Sequence, residues 1–422
     1  MNMNTASVMV RMSGTSVTSF VPPSGMSISC VGSRKPLYPK GSSLIRQAVA
    51  EAIANPVGRT LAQVVDLKKR VLLIIDDHTR GTPTAETLEV LYDRLHDMGV
   101  SDAQMTILTS AGTHRAMTED EIRAKTGELA GHIEVVQHDC LNPGCLYRAG
   151  EIDDIPVWLN RNLCDAGTVI GVGSLVAHKF SGWSGAAKII CPGVAGYETI
   201  YRCHYRSVVE ENIVPGQKDN WFRRFINRVG DLAGLNFCVN FVPVMGGTAG
   251  VTAGDPRAVF ERNVDVAIQA MGADFREKQD LVIVSAYPAT TDMWQSGKGF
   301  YSGELIARDG GTIVLVSPLD EGFGDHRDFT SLLGCEPAKI LDHLSSKNLP
   351  DPLAAVAAYA IRRIGERCRL RIVTSNSSLR GTPLLGAPVS DNLQEVVNTA
   401  ADGSGETRAA VLNDVYVLPM LR

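Results

Sequence analysis

The 422-residue chain has no polybasic block, and its 41 Lys and Arg are outnumbered by 46 Asp and Glu, for a formal net charge of -5. Without a basic stripe to neutralise phosphates, nucleic acid is a poor partner. No apolar run reaches the roughly 18 residues a membrane span needs. The opening MNMNTASVMVRMSG has no charged head followed by an apolar stretch. No membrane association and a cytoplasmic location are therefore expected. Nine cysteines, an odd number scattered from Cys30 to Cys368, make no disulfide framework in a chain of this length, so reduced thiols are expected. His138, Cys140 and Cys145 lie close in sequence, but their spacing matches no paired zinc-ligand pattern and a second pair is lacking. An ordinary loop with buried thiols is the simpler reading. Two nucleotide signatures also fail: GWSGAAK from Gly182 is not a phosphate-binding G-x-x-x-x-G-K-[ST], and GVGSLV from Gly171 has Val176 where the dinucleotide fingerprint needs glycine.

What is present is a long α/β pattern. The length fits two domains. Apolar, β-branched runs at 71–75, 105–108, 133–136 and 168–172 predict strands. They alternate with helical periodicity, as over 84–98, where Leu88, Leu91, Leu95 and Met98 share a face, and after Thr118, which with Glu121 forms a capping box. A second series predicts strands at 281–285, 312–317 and 370–374 and a helix at about 302–308. The expected architecture is α/β with two domains, 1–273 and 274–422, each a mainly parallel sheet flanked by helices, with an active site in the cleft between them. The glycine-rich GGTAGVTAGDP at 246–256 reads as an exposed loop or hinge.

In a doubly wound sheet the ligand crevice lies beyond the carboxyl ends of the strands, so the turns at 76–83, 110–115 and 174–188 should converge. The first reads DDHTRGTP. Arg80 offers a planar fork for a phosphate or carboxylate, Thr79 and backbone amides add donors, and Asp77 can orient a neighbour; a helix cap with a surface ion pair is the plainer alternative. The second turn carries His114 and the third His178. Two imidazoles facing one ligand suit reversible proton transfer on opposite faces, the symmetry a racemization needs. Lys188, in the glycine loop, could hold a phosphate, react with a carbonyl carbon or reach solvent. His204, on a helix expected from about Val194, is a lone imidazole without a second ligand at helical spacing, so any metal there needs donors from outside the protein. In the second domain, Gln295 and Lys298 could reach a carboxylate with Trp294 as an apolar wall, or else cap a helix. The run DEGFGDH at 320–326 reads as a glycine turn rather than an acidic metal loop.

Taken together, DDHTRGTP, GTHRAMTEDE, HKFSGWSGAAKIICPGVAGYET, the later CH, QSGKG and GGTIVLVSPLDEGFG resemble the lactate racemase family in order and spacing, from about residue 37 to 418. Members of that family use a nickel-pincer nucleotide, a pyridinium mononucleotide whose two thiocarboxyl-derived sulfurs and one ring carbon bind nickel. The resemblance implies that Lys188 carries the cofactor through a thioamide and that His204 supplies the remaining nickel ligand. It assigns Asp77, His78, Thr79 and Arg80 to the nucleotide and the substrate end, His114 and His178 to acid/base roles, and Arg80, Trp294, Gln295 and Lys298 to substrate. A near-planar site with soft donors is one nickel accepts. The implied activity is isomerisation: racemase or epimerase action on a small 2-hydroxy acid by reversible hydride transfer to the cofactor. A redox enzyme using the same cofactor and a non-catalytic carrier of it are the alternatives. A homo-oligomer is compatible with the resemblance. Where the family commonly has proline after the arginine and a hydroxylated aromatic before the glutamine, this chain has Gly81 and Trp294, and His78 stands beside Asp77. These departures imply a different pocket, for which a larger aromatic or sugar-derived acid is as good an expectation as lactate.

Overall fold

The computed structural model describes residues 7–41, 43–324, 326, 328–346, 351–401 and 406–422. It divides into two compact units, one spanning Arg34–Ala270 and the other formed by Met1–Ser33 together with Met271–Arg422.

The Arg34–Ala270 unit is built on a seven-stranded sheet in the order Tyr38–Pro39, Gly247–Gly254, Leu235–Val244, Ala166–Ser174, Arg70–Asp76, Met105–Ser110, Glu134–Gln137. The last five strands run parallel, and Gly247–Gly254 pairs antiparallel with both its neighbours, Leu235–Val244 and Tyr38–Pro39. Arg70–Asp76 reads RVLLIID and is buried on both faces from Val71 onward, as a central parallel strand covered by helices must be. Leu73, Ile75, Ile107, Ile170 and Phe237 share one core with Leu88, Leu91 and Leu95 of the Thr84–Asp97 helix. Fully burying each such side chain stabilises the unit by about 1.5–3 kcal/mol. The capping box at Thr118 forms as expected, opening the Glu119–Thr126 helix.

Numbered in chain order, the five parallel strands lie 3-2-1-4-5 across the sheet. The strand order therefore reverses between Arg70–Asp76 and Ala166–Ser174, which is where a doubly wound sheet opens a crevice.

The other unit holds a five-stranded, all-parallel sheet in the order Arg369–Val373, Ala307–Val316, Gln279–Ser285, Thr407–Leu412, Met26–Val31. Its core joins Leu281, Ile283, Val314, Val316 and Val411 to Val10 and Phe20 of an N-terminal hairpin. Both units thus have mainly parallel sheets with flanking helices. Among the described residues, no helix is long and apolar enough to cross a membrane.

Three local expectations are corrected. A contiguous first domain over 1–273 does not describe the contact pattern, because Met26–Val31 hydrogen-bonds as a parallel strand onto Thr407–Leu412 and belongs to the C-terminal unit. The 246–256 segment is not a loop: Gly247–Gly254 pairs antiparallel with Leu235–Val244, and glycine at 247 lets Tyr38–Pro39 close on it, since a Cβ there would stand 2.2 Å from the Tyr38 carbonyl oxygen. The helix expected at 302–308 lies at Lys298–Glu304, with Ala307 already in the next strand. The DEGFGDH run is a turn through Leu319, Gly322 and Gly324 with positive φ, and its Asp325 lies outside the described residues.

Candidate active site

The three turns expected to converge follow three adjacent strands: 76–83 after the central one, 111–115 after one neighbour and 174–188 after the other. The first two are tied by a side-chain pair. Nδ1 of His114 lies 2.5 Å from Oδ2 of Asp77, whose Oδ1 accepts from the Thr79 amide at 2.9 Å and the Thr79 hydroxyl at 2.5 Å. Burial pushes the Asp77 carboxyl up, but the His114 imidazole, the Arg80 charge and the Thr79 hydroxyl outweigh it and hold Asp77 well below the ordinary carboxylate range. An ionised carboxylate accepts only, so His114 carries its proton on Nδ1 and leaves Nε2 as the basic nitrogen.

Both expected donors of Thr79 are turned inward to Asp77. Arg80 is different. Among the described residues its guanidinium feels the Asp77 charge but makes no hydrogen bond or ion pair, which leaves its fork for an anion. His78 is half-buried, its Nδ1 is shielded from solvent without a hydrogen-bond partner among the described residues, and burial holds its pKa below the ordinary value despite the neighbouring Asp77.

Sequence reasoning missed the brace beneath this loop. Lys125, buried on the Glu119–Thr126 helix, donates to Asp76 at 2.9 Å and to the Arg80 carbonyl at 2.7 Å, while the Thr82 hydroxyl donates to the other Asp76 oxygen. A buried lysine must meet an acceptor, and a second aspartate beside Asp77 was the signal available.

The third turn gathers His178, Lys188 and His204. His178 ends the short Ala177–His178 strand, paired with Gly182–Trp183; at Gly182, φ is +72° and a Cβ would stand 1.8 Å from the Gln217 carbonyl oxygen. Nζ of Lys188 lies 2.8 Å from Nε2 of His178. The Phe180 ring stands edge-on to His178 and His204, at centroid distances of 5.4 and 5.0 Å. The loop is held by Arg223, which donates to the carbonyls of Trp183 at 2.5 Å, Ser184 at 3.2 Å and Gly185 at 3.3 Å and lies over the Phe260 ring. Burial pulls the Arg223 guanidinium down to about 9. Sequence reasoning also missed Arg223, whose neighbours Trp221, Phe222, Phe225 and Ile226 mark the apolar face of that helix.

His204 is buried on the Tyr197–Tyr205 helix, which starts at Tyr197 rather than Val194. Burial first, then the Lys188 charge, lowers its imidazole to about 3, so it is neutral. Its Nδ1 lies 2.7 Å from the Ile200 carbonyl oxygen, which can only accept. The proton is therefore on Nδ1 and the lone pair on Nε2, the state in which histidine binds a metal.

Among the described residues, no group of three or more His, Cys, Asp or Glu is assembled to hold a metal ion. His138 instead donates to the Ala195 carbonyl at 2.9 Å and accepts from Asn160 at 3.1 Å, a structural role, and Cys140 is a buried free thiol. A prepared single ligand in His204, an amine in Lys188, an unmatched nitrogen in His78 and an open fork in Arg80 suit a metal that brings its other donors on an anionic carrier.

In the other unit, Gln295 is buried and accepts from Lys298 Nζ at 2.5 Å, while Trp294 stacks on His326 with centroids 3.7 Å apart. His326 in turn meets Asp351 at 2.6 Å.

Residues 28–216, which include the loops of Asp77, His114, His178, Lys188 and His204, match the family described as the lactate racemase N-terminal domain. A lactate racemase of Lactiplantibacillus plantarum is 26% identical over 331 residues, covering 74% of this chain and 76% of that protein. One of Thermoanaerobacterium thermosaccharolyticum is 28% identical over 289 residues, covering 65% and 66%. The structure of the lactate racemase apoprotein from Thermoanaerobacterium thermosaccharolyticum has a TM-score of 0.84 at 23% identity, covering 98% of this chain and all (100%) of that one. A protein from Thermotoga maritima has a TM-score of 0.71 at 19% identity, covering 92% and 100%. Residues 28–216 thus carry a lactate racemase N-terminal domain, and the chain as a whole is similar in sequence to lactate racemases and has their fold.

Proposed function

We propose that the protein is an isomerase, a racemase or epimerase of a small 2-hydroxy acid, working with a nickel-pincer nucleotide attached through Lys188. The observation that carries this reading is the His204 imidazole, neutral, fixed as the Nδ1–H tautomer and presented beside Lys188 and His178. It would supply one metal ligand where, among the described residues, no group of three or more His, Cys, Asp or Glu is assembled to hold a metal. His204 would bind nickel through Nε2, while Asp77, His78, Thr79 and Arg80 hold the nucleotide and the substrate end.

When bound, the nucleotide supplies a hydride acceptor, which removes the need to deprotonate a weak carbon acid beside a carboxylate. The remaining work is proton transfer and positioning. The loops of His114 and His178 follow the strands on either side of the one that carries Arg80. This favours a substrate whose carboxylate is gripped by Arg80 with an imidazole on each side. His114, held by Asp77, takes the hydroxyl proton of one enantiomer through Nε2, and His178 serves the other. By the resemblance, Gln295, Lys298 and Trp294 are proposed substrate contacts, and Trp294 in place of a hydroxylated aromatic makes a larger acid as good a candidate as lactate.

The test is a panel of 2-hydroxy acids incubated with cofactor-loaded protein and resolved by chiral chromatography, including one substrate deuterated at C2. Interconversion of enantiomers with retention of most of the deuterium is expected. Deuterium washed out at the rate of racemization would exclude hydride transfer, net keto-acid formation would establish the redox alternative, and a loaded protein inert to the whole panel would establish a carrier.

A further inference from the structure

We propose that Asn240 is a positioning residue of the site: it holds Ala186 in a left-handed backbone conformation that alanine disfavours, and so sets where the chain stands when it reaches Lys188, two residues on. That this placement serves attachment at Lys188 rests on the function proposed above. The clamp itself rests on backbone and side-chain geometry.

Between the Gly182–Trp183 strand and the short Ala186–Ile189 helical turn the chain takes two consecutive steps with positive φ, +84° at Gly185 and +49° at Ala186. Glycine takes the first without steric cost. At the second, the alanine Cβ crowds the following carbonyl oxygen, which disfavours the conformation roughly 5- to 30-fold. Asp153, Asp154 and Asn212 also have positive φ, but short polar side chains tolerate that region through local hydrogen bonds. A strained alanine persists only where its surroundings over-determine it.

Those surroundings are Asn240 on one side and Arg223 on the other. Oδ1 of Asn240 accepts from the Ala186 amide at 2.5 Å, while Nδ2 donates to the Val239 carbonyl at 3.0 Å. Both Asn240 and Ala186 are buried, so an Ala186 N–H released from Asn240 would meet no water and stay unpaired. Asn240 has little room to yield. It stands opposite Gly173 in the sheet, and its carbonyl accepts at 3.1 Å from Asn263, whose Oδ1 accepts from the Thr252 hydroxyl at 2.6 Å. A Cβ at Gly185 would lie 2.9 Å from Oδ1 of Asn240, so glycine there lets the side chain reach the next amide. Arg223 holds the carbonyls of Trp183, Ser184 and Gly185, and the Gly185 carbonyl oxygen also accepts from the Lys188 backbone amide at 3.2 Å. One oxygen thus joins the held segment to the backbone of the lysine. A return of Ala186 to negative φ would turn the peptide planes after it and break that contact.

The test uses cofactor-free full-length protein and hydrogen–deuterium exchange read by peptide mass spectrometry. In wild type the 184–190 peptide should exchange as slowly as the buried Arg70–Asp76 strand; exchange at the rate of an open loop would overturn the clamp, and this readout needs no variant to fold. Asn240→Ala should speed exchange of 184–190 at least about tenfold and leave 70–76 unchanged. Adding Ala186→Gly, which removes the steric cost of the left-handed step, should reverse a large part of the change. No effect of Asn240→Ala, or exchange as fast in the double variant as in the single, would overturn the inference. A second readout is the fraction of protein carrying a Lys188 adduct after expression together with nickel-pincer nucleotide biosynthesis. It should fall at least about fivefold in Asn240→Ala and recover in the double variant while the melting temperature stays lowered. A fraction that follows the melting temperature instead would overturn the positioning role. No adduct in any of these proteins, wild type included, with the exchange pattern intact would remove the proposed function and leave the clamp standing.

Discussion

Replacing Lys125 with Met keeps most of the side-chain stem and deletes its charge. Asp76 is then left buried, 7% exposed, with the Thr82 hydroxyl as its donor, and the Arg80 carbonyl loses its 2.7 Å contact. Breaking a buried ion pair by removing one partner costs about 3–5 kcal/mol, most of it the penalty of an uncompensated charge. In a unit of this size each kcal/mol moves the melting temperature by roughly 2–4 °C, so a loss of about 6–20 °C is expected. Calorimetry of the cofactor-free protein reads it. Lys125→Met combined with Asp76→Asn removes both charges and should recover a large part of the loss, whereas each single variant carries an orphan. Because Lys125 also fixes the backbone at Arg80, the loaded variant should show a raised KM for the 2-hydroxy acid with a smaller change in kcat. A single-variant loss below about 1 kcal/mol, or strict additivity in the pair, would refute the brace.

Three further outcomes follow from the site. His204→Ala should lose nickel, by elemental analysis of the loaded protein, while His114→Ala and His178→Ala retain it and lose turnover; equal nickel loss in all three would show the histidine roles to be misassigned. Asp77→Asn should lower kcat by roughly 10²–10⁴, because the amide no longer enforces the proton on Nδ1 of His114; a rate within threefold of wild type would remove Asp77 from the mechanism. In cofactor-free protein His204 sits at about 3 against an ordinary 6.5, so between those values the unfolded chain binds the extra proton. Stability is therefore fully present above about 6.5 and falls with decreasing pH by about 1.4 kcal/mol per unit through that window. Urea melts of His204→Gln between pH 5 and 6.5 should be flatter than wild type, and an unchanged slope would place the proton-excluding group elsewhere.

Much of this was readable in advance because it rests on short-range chemistry. The strand at 71–75 announces itself by five consecutive apolar residues, and a turn of charged and hydroxyl residues after it has few places to go but a sheet end. Motif order gave the family. What stayed hidden is long-range. Nothing near Lys125 points to Asp76, since their contact is made only once a helix has packed across the loop. Arg223 likewise has as partners three backbone carbonyls some forty residues away, which no composition or period encodes. The GGTAGVTAGDP segment misleads because its glycines serve close strand approach rather than flexibility. The Met26–Val31 segment falls on the wrong side of the expected 1–273 boundary because its partner strand is chosen by topology and not by sequence neighbours.

That strand also sets a schedule. The chain leaves the first unit at Ser33, completes the Arg34–Ala270 unit, and returns to the first at Met271. On the ribosome, Met26–Val31 emerges early, yet Thr407–Leu412 follows it by about 380 residues, which at 5–20 residues per second is a wait of roughly 20–75 s. For that interval an edge of unpaired amides and carbonyls needs shelter from other nascent chains. The longest wait within the middle unit is shorter, about 210 residues from Tyr38–Pro39 to Gly247–Gly254, and that unit holds Asp77, His114, His178, Lys188 and His204. The half that holds Lys188, the proposed point of cofactor attachment, is therefore complete in sequence while the half bearing Gln295 and Lys298 is still being translated, so attachment as proposed could begin on an unfinished polypeptide.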